Sequence, residues 1–219
     1  MDGMKILVTG FEPFDGAIIN PALEAVKRLP ETVASAEVVK VELPVVFGRE
    51  RKVLSAAVAE HEPDAVVCIG QAGGRTHITP EFVGINYAHA RIPDNEGNQP
   101  LAQPIVAGGP DAYFTKLPVH AMVERMRAAG IPAAVSYTAG TFCCNEILYT
   151  VLHLCATEYP AMRGGFIHVP YATEQVAHMA EGTASLPVET MVAGLTLALE
   201  AIVEYPEGDA TGVGGGSEH

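Results

Sequence analysis

Short apolar runs of strand length alternate with segments of helical periodicity along most of this chain. "MKILVTG" reads as a buried strand closed by Gly10. "NPALEAVKRLP" follows as a helix. Asn20 can accept from the free first-turn N–H groups, Pro21 suits the first helical position, and Leu23, Val26 and Leu29 share a face. In "EVVKVELP", Val39, Val41 and Leu43 alternate with Lys40 and Glu42, which predicts a strand with one wetter side. "GRERKVLSAAVAEH" predicts a helix burying Val53, Leu54, Ala57 and Val58, and "DAVVCIG" a second buried strand. "EFVGINYAHARIPDNEGNQP" begins as an alternating strand through Val83, Ile85 and Tyr87. It then becomes too rich in Pro, Asp, Asn and Gly to be anything but loop. "VHAMVERMRAAGIP" puts Val119, Met122, Val123 and Met126 on one helical face and stops at Gly130 and Pro132. "AAVSYT" predicts a strand, "CCNEILYTVLHLC" a helix, "GGFIHVP" a strand, and "PVETMVAGLTLALEAIVEY" a last helix.

This alternation implies an α/β sheet covered on both faces, with sites outside the carboxyl ends of its strands. A chain of 219 residues suffices for one core, and no linker or repeat divides it, so one domain over residues 1–206 is expected. The Gly-rich residues 207–219 are expected to be a mobile tail. At 48% hydrophobic the chain is not a disordered one. No apolar run approaches the ~18–20 residues of a membrane span. "MDGMKILVTG" does not read as a signal peptide, so a cytoplasmic protein is expected. The net charge of −13 argues against nucleic acid or an anionic membrane as partner. The four cysteines include an adjacent pair, Cys143 and Cys144, which cannot easily bridge. Thiols are therefore expected, and neither C-x-x-C nor a His/Cys cluster suggests a structural metal.

Helical phase separates that pair. From Cys144, positions 147, 148, 151, 152 and 155 are apolar, whereas from Cys143 the face is mixed. Cys144 is thus expected to point inward at a helix start that follows a Gly-containing turn. There the dipole and free N–H groups favour thiolate and could hold an oxyanion. A small buried core thiol is the competing reading, and it fits Cys68 and Cys155 better. A thiol nucleophile needs a base that also serves as acid. Among eight histidines only His168 ends an apolar strand, in "FIHVP"; His61, His120, His153 and His219 read as surface residues. An orienting carboxylate comes next. Glu81 at a strand start is plausible, with Glu174, Asp94 and Glu96 as rivals on composition.

With those residues in hand, the chain resembles pyroglutamyl peptidase I, a family of cysteine peptidases. The matches run in order through "ILVTGFEPFDG", "NPA", "LPVVF", "ITPE", "ARIPDNEGNQP", "TAGTFCCN" and "FIHVP". The resemblance implies a single-domain three-layer α/β/α sandwich with a twisted, mostly parallel (mixed) sheet. It places the nucleophile on Cys144, the histidine on His168 and the acid on Glu81. It implies removal of N-terminal pyroglutamyl residues from peptides, no metal or cofactor, and a homo-oligomer, often a tetramer. Phe11 and Phe14 resemble the aromatic walls around the lactam ring. Gln71 is placed to bond its amide, and backbone near Ile92, Phe142 and Cys143 to complete the pocket, with Arg91 close to the sulfur. Two positions depart from the family pattern: Cys143, where an aliphatic residue is usual, and His89, where an acid is. Two other readings compete. One is a nucleoside-phosphorylase-like transferase using "GQAGGR" (70–75) for phosphate. The other is a non-catalytic thiol sensor built on Cys143 and Cys144.

Overall fold

A computed structural model describes residues 3–209. In chain order, β1 (Lys5–Phe11), α1 (Pro21–Arg28), β2 (Thr32–Val33), β3 (Ala36–Leu43), α2 (Arg49–His61) and β4 (Ala65–Gln71) make the first half. β5 (Thr79–Glu81), β6 (Val83–Ile85), β7 (Ala112–Phe114), α3 (Val119–Ala128), α4 (Cys143–Thr157) and β8 (Arg163–Val169) follow. The chain closes with β9 (Tyr171–Ala172), α5 (Thr173–Val176), β10 (Ser185–Leu186) and α6 (Val188–Glu204). The main sheet has the order β2-β3-β1-β4-β8-β5. Its inner strands β3, β1, β4 and β8 are parallel, and β2 and β5 pair antiparallel at the edges. β6–β7 and β9–β10 form two small separate ladders.

Side-chain alternation along each strand divides the core into two layers. Ile6, Val8, Val67, Ile69, Ile167 and Val169 face α1, α3 and α6. Leu7, Val66, Cys68 and Phe166 face α2 and α4. The fold is therefore an α/β sheet covered on both faces, as the alternating pattern implied, and the α/β/α sandwich with a mixed, mostly parallel sheet that the resemblance implied. Asn20 caps α1 as expected, its Oδ1 accepting from Ala22 N–H at 3.1 Å, with Pro21 in the first turn. Among the described residues no helix is long and apolar enough to cross a membrane.

One expected strand does not form. "AAVSYT" lies beside β5 but makes only isolated bridges, Ile78 to Ala133 and Glu81 to Ser136. The backbone bonds Ala134 N–H to Ile78 O and Ser136 N–H to Pro80 O are made, but Pro80 has no N–H to return, which interrupts the ladder. Of the segment read as a tail, Gly208 and Asp209 are half-buried against the protein. Asp209 accepts from the His120 N–H at 2.9 Å and contacts its ring at 2.7 Å. Residues 210–219 lie outside the described residues.

Candidate active site

The α2/α4 face of the sheet carries the chemistry. Alternation in β8 puts His168 on the same side as Phe166, and parallel pairing sets His168 beside Gly70 of β4. The start of α4 lies over that point. A Cβ built on Gly70 would stand 2.9 Å from Cys144 Sγ and 2.6 Å from Phe166 Cζ, so the sulfur rests directly above the strand position next to His168. No sequence-local rule brings these two elements together; the crossing of α4 over β4 and β8 does.

His168 is 3% exposed, and its Nδ1 lies 2.7 Å from Glu81 Oε1. This leaves Nε2 for the cavity. Glu81 is fully buried at the end of β5, which runs antiparallel to β8. The same Oε1 accepts from Arg75 Nη1 at 2.7 Å, while Arg75 also bonds Thr79 Oγ1 and, through Nη2, Thr138 O at 2.9 Å. Burial holds the His168 imidazole below its usual value, against the opposing pull of Glu81. The rival acids are engaged elsewhere. Asp94 is buried and accepts from the N–H groups of Phe47, Glu96 and Asn98 rather than being the solvated turn residue its loop suggested. Glu96 pairs with Arg49, and Glu174 is exposed on α5. Two histidines read as surface residues are half-buried and occupied, His120 by Asp209 and His153 by Tyr113 Oη at 3.0 Å.

The turn before α4 is held from the side. Asn145, 1% exposed, binds Ile85 N–H and O and Tyr87 O through its amide. Thr141 exchanges bonds with the His89 backbone at 2.7 and 2.9 Å. Phe142, the N-cap, supplies no side-chain acceptor. The first backbone bond of α4 is Glu146 N–H to Phe142 O at 3.1 Å, so the N–H groups ahead of it are free for a ligand.

Helical phase was right for Cys144, which faces the sheet over Gly70 and is partly open to the cavity, but Cys143 on the mixed face is enclosed as well, at 1% exposure. The reason is that α4 is packed on both flanks, by the sheet on one side and by α2 and the β6–β7 hairpin on the other. An apolar stripe then no longer marks the single inward face. Nor is the thiol acidified. Burial, reinforced by the Glu81 charge and only partly opposed by Arg75, pushes Cys144 up to about 12. This upward push runs against the lowering that the helix dipole suggested.

A cavity of about 700 Å³ opens at this turn, lined by Cys144, His168, Cys143, Phe11, Phe14, Gln71, Arg91, Ile92 and Phe142. Of the residues expected at the site, Glu81 alone does not line it; it stands behind His168. Phe11 ends β1 rather than lying in the following loop, and Phe14 packs at 5.2 Å on Phe142, itself 4.9 Å from Phe47. Gln71 Oε1 accepts from Gln175 Nε2 at 2.9 Å, leaving the Gln71 amide NH₂ for a ligand. Sequence reasoning missed Gln175, Asn145 and Arg75. Arg75 sat only in the Gly-rich phosphate candidate, and nothing in that string points to Glu81. In the structure no helix follows "GQAGGR", Gly73 packs against the Tyr171 ring, and Arg75 is spent on Glu81, Thr79 and Thr138. A phosphate cradle is not what this loop builds. Among the described residues no group of three or more His, Cys, Asp or Glu is arranged to hold a metal.

Comparison with known proteins agrees with this geometry. The chain is 51% identical over 216 residues to the pyrrolidone-carboxylate peptidase of Streptococcus suis, covering 99% of this chain and 100% of that one. It is 53% identical to pyrrolidone-carboxylate peptidase 1 of Streptococcus pneumoniae, covering 97% and 99%. The crystal structure of Bacillus amyloliquefaciens pyroglutamyl peptidase I superposes with a TM-score of 0.91 at 46% identity, over 94% of this chain and all of that one. The pyrrolidone carboxyl peptidase of Thermococcus litoralis gives 0.89 at 37%, over 93% and 95%. The family model described as pyroglutamyl peptidase matches residues 4–205, and the chain belongs to that family of hydrolases.

Proposed function

We propose that the chain removes N-terminal pyroglutamyl residues from peptides by thioester catalysis, with Cys144 as nucleophile, His168 as base and then acid, and Glu81 as the carboxylate that orients His168. The observation that carries this reading is the shared cavity in which Cys144 Sγ overlies the Gly70 position beside His168, whose other nitrogen is held by Glu81 at 2.7 Å. Phe11 and Phe14 flank the flat lactam, and the Gln71 amide donates to its carbonyl. The cavity is larger than one lactam ring needs, which leaves room for the second residue. The Asp and Arg side chains that line it are Asp15, Arg75 and Arg91, and Arg75 is already occupied by Glu81, Thr79 and Thr138.

His168 Nε2 takes the Cys144 proton as sulfur attacks the carbonyl joining pyroglutamate to the next residue. Transfer within the attack suits a thiol whose ionisation burial disfavours. The free N–H groups of the α4 turn bind the oxyanion. His168 returns the proton to the leaving amine, the carbonyl re-forms as a thioester, and water activated by the same imidazole cleaves it to release pyroglutamate and the thiol. A single catalytic unit, action in the reducing cytoplasm and a homo-oligomer, as the family resemblance implies, belong to the same proposal.

Two results test it. Iodoacetamide is expected to abolish hydrolysis of a pyroglutamyl fluorogenic amide as one label enters Cys144. Cys143, Cys68 and Cys155 should be spared, being at most 9% exposed, whereas Cys144 is partly open to the cavity. Inactivation that tracks a label on Cys143 would reverse the assignment. The second is a pH profile. His168 must be neutral to accept the proton, and its folded value lies below 6.5. kcat/KM for an uncharged substrate should therefore rise through a midpoint below 6.5 and then stay flat across neutral pH. The same depression means the unfolded chain holds that proton more tightly. The His168 contribution to stability is complete above 6.5 and is lost as pH falls through the folded value. An acid limb centred at 7 or above would exclude His168, in this environment, as the base.

A further inference from the structure

Beneath the turn that carries Cys143 and Cys144 lies a buried carboxyl that no step above uses. Glu50, in the first turn of α2, is fully buried, and as an ionised carboxylate neither of its oxygens finds a donor among the described residues. Its titratable neighbours are the Glu146 carboxyl and the Cys143 thiol. Glu146 is 6% exposed; one oxygen accepts from Gly48 N–H at 2.8 Å and the other is 3.8 Å from Arg51 Nη1. The two helix starts are thus tied crosswise. The α4 carboxylate serves the N-terminus of α2, whose N-cap Gly48 has no side chain to offer, and an α2 carboxyl reaches under the N-terminus of α4.

Two carboxyls in contact out of water cannot both ionise. Burial, and next the contact with Glu146, push Glu50 up to about 10. A negative Glu50 would also resist loss of the Cys144 proton, since its charge raises that thiol further. The other charges nearby do not change this. Arg51, on the same helix, faces Glu146, and Asp94 spends its oxygens on Phe47, Glu96 and Asn98.

We propose that Glu50 is a positioning residue for the hydrolytic turn: as a neutral acid it donates to the Glu146 carboxylate, accepts from the Cys143 S–H, and fixes the first turn of α4 against α2. Its kinetic half rests on Cys144 being the nucleophile; the shared proton does not.

Glu50→Gln keeps a donor for Glu146 and an acceptor for Cys143, and its kcat on a pyroglutamyl amide is expected within about 3-fold of the parent. Glu50→Leu keeps the volume and loses both bonds. Counted per iodoacetamide-titratable Cys144, its kcat should fall roughly 10- to 100-fold with KM nearly unchanged, because a slightly displaced sulfur harms the reacting geometry more than binding. Melting supplies the second readout. Folding carries a proton onto Glu50 between its ordinary 4.5 and about 10, so the native state holds more protons in that range and loses stability as pH rises. The parent's melting temperature should drop about 5 °C or more further than that of Glu50→Gln between about pH 6 and about pH 9. Parent-like kcat in Glu50→Leu would overturn the positioning role. Parallel melting of parent and Glu50→Gln across that range would overturn the shared proton, whatever the nucleophile proves to be.

Discussion

Cys144→Ala is expected to lower kcat/KM for a pyroglutamyl anilide by at least ~10³-fold, about 4 kcal/mol of transition-state stabilisation, while leaving the fold intact. The side chain is partly open to the cavity, so truncation leaves a void that water or substrate can enter rather than a hole in the core. His168→Ala should cost nearly as much, and the double variant little more than either single one. Burial disfavours the Cys144 thiolate, so attack calls for the imidazole, and the imidazole has nothing to deprotonate without the thiol. Losses that simply multiplied would mean the two side chains act in separate steps. A Cys144→Ala protein releasing the anilide at the parent rate would refute the nucleophile outright.

What the sequence made legible follows how local each feature is. The cap of α1 needs only Asn20, Pro21 and the next N–H, and it forms as read. The "FIHVP" alternation separates Phe166 and His168 from Ile167 and Val169, and the two cores respect it. What failed depends on partners distant in the chain. "AAVSYT" has strand chemistry of its own, but its neighbour carries Pro80, which cannot complete the ladder. The cysteine phase placed Cys144 toward the sheet but not the burial of Cys143, because a helix enclosed on two flanks has no single inward face. The pairing of Glu81 with His168 crosses 87 positions and exists only because β5 runs antiparallel at the edge of β8. The family resemblance supplied that pair; composition alone left three rival acids. Glu50 was invisible for the same reason in reverse. In "GRERK" it reads as one charge in a solvated run, and only the packing of α2 on α4 takes it out of water.

The other large effect belongs to a position with no side chain. In Gly70→Ala the new methyl would sit 2.6 Å from Phe166 Cζ and 2.9 Å from Cys144 Sγ, closer than packed carbon and sulfur tolerate. Phe166 has little room to yield. It is 1% exposed, with its ring 6.5 Å from that of Phe11 and 4.7 Å from His168. Displacing it pushes on the imidazole, and sparing it lifts the sulfur, so either relaxation separates the reacting pair. Stability should fall by about 1–3 kcal/mol, the usual cost of overpacking. kcat/KM should fall by at least ~10²-fold, more than that instability explains in protein that is still folded. Gly164→Ala is the control. On the same strand and face as Phe166, its Cβ would meet Val151 at 2.8 Å and Cys155 Sγ at 3.0 Å, far from the cavity. It should show a comparable drop in melting temperature with kcat unchanged. Equal kinetic damage in both variants would mean that lost stability, not the seat of the sulfur over β4, governs the rate. Parent-like kcat in Gly70→Ala would mean that Cys144 reacts from somewhere other than above this glycine.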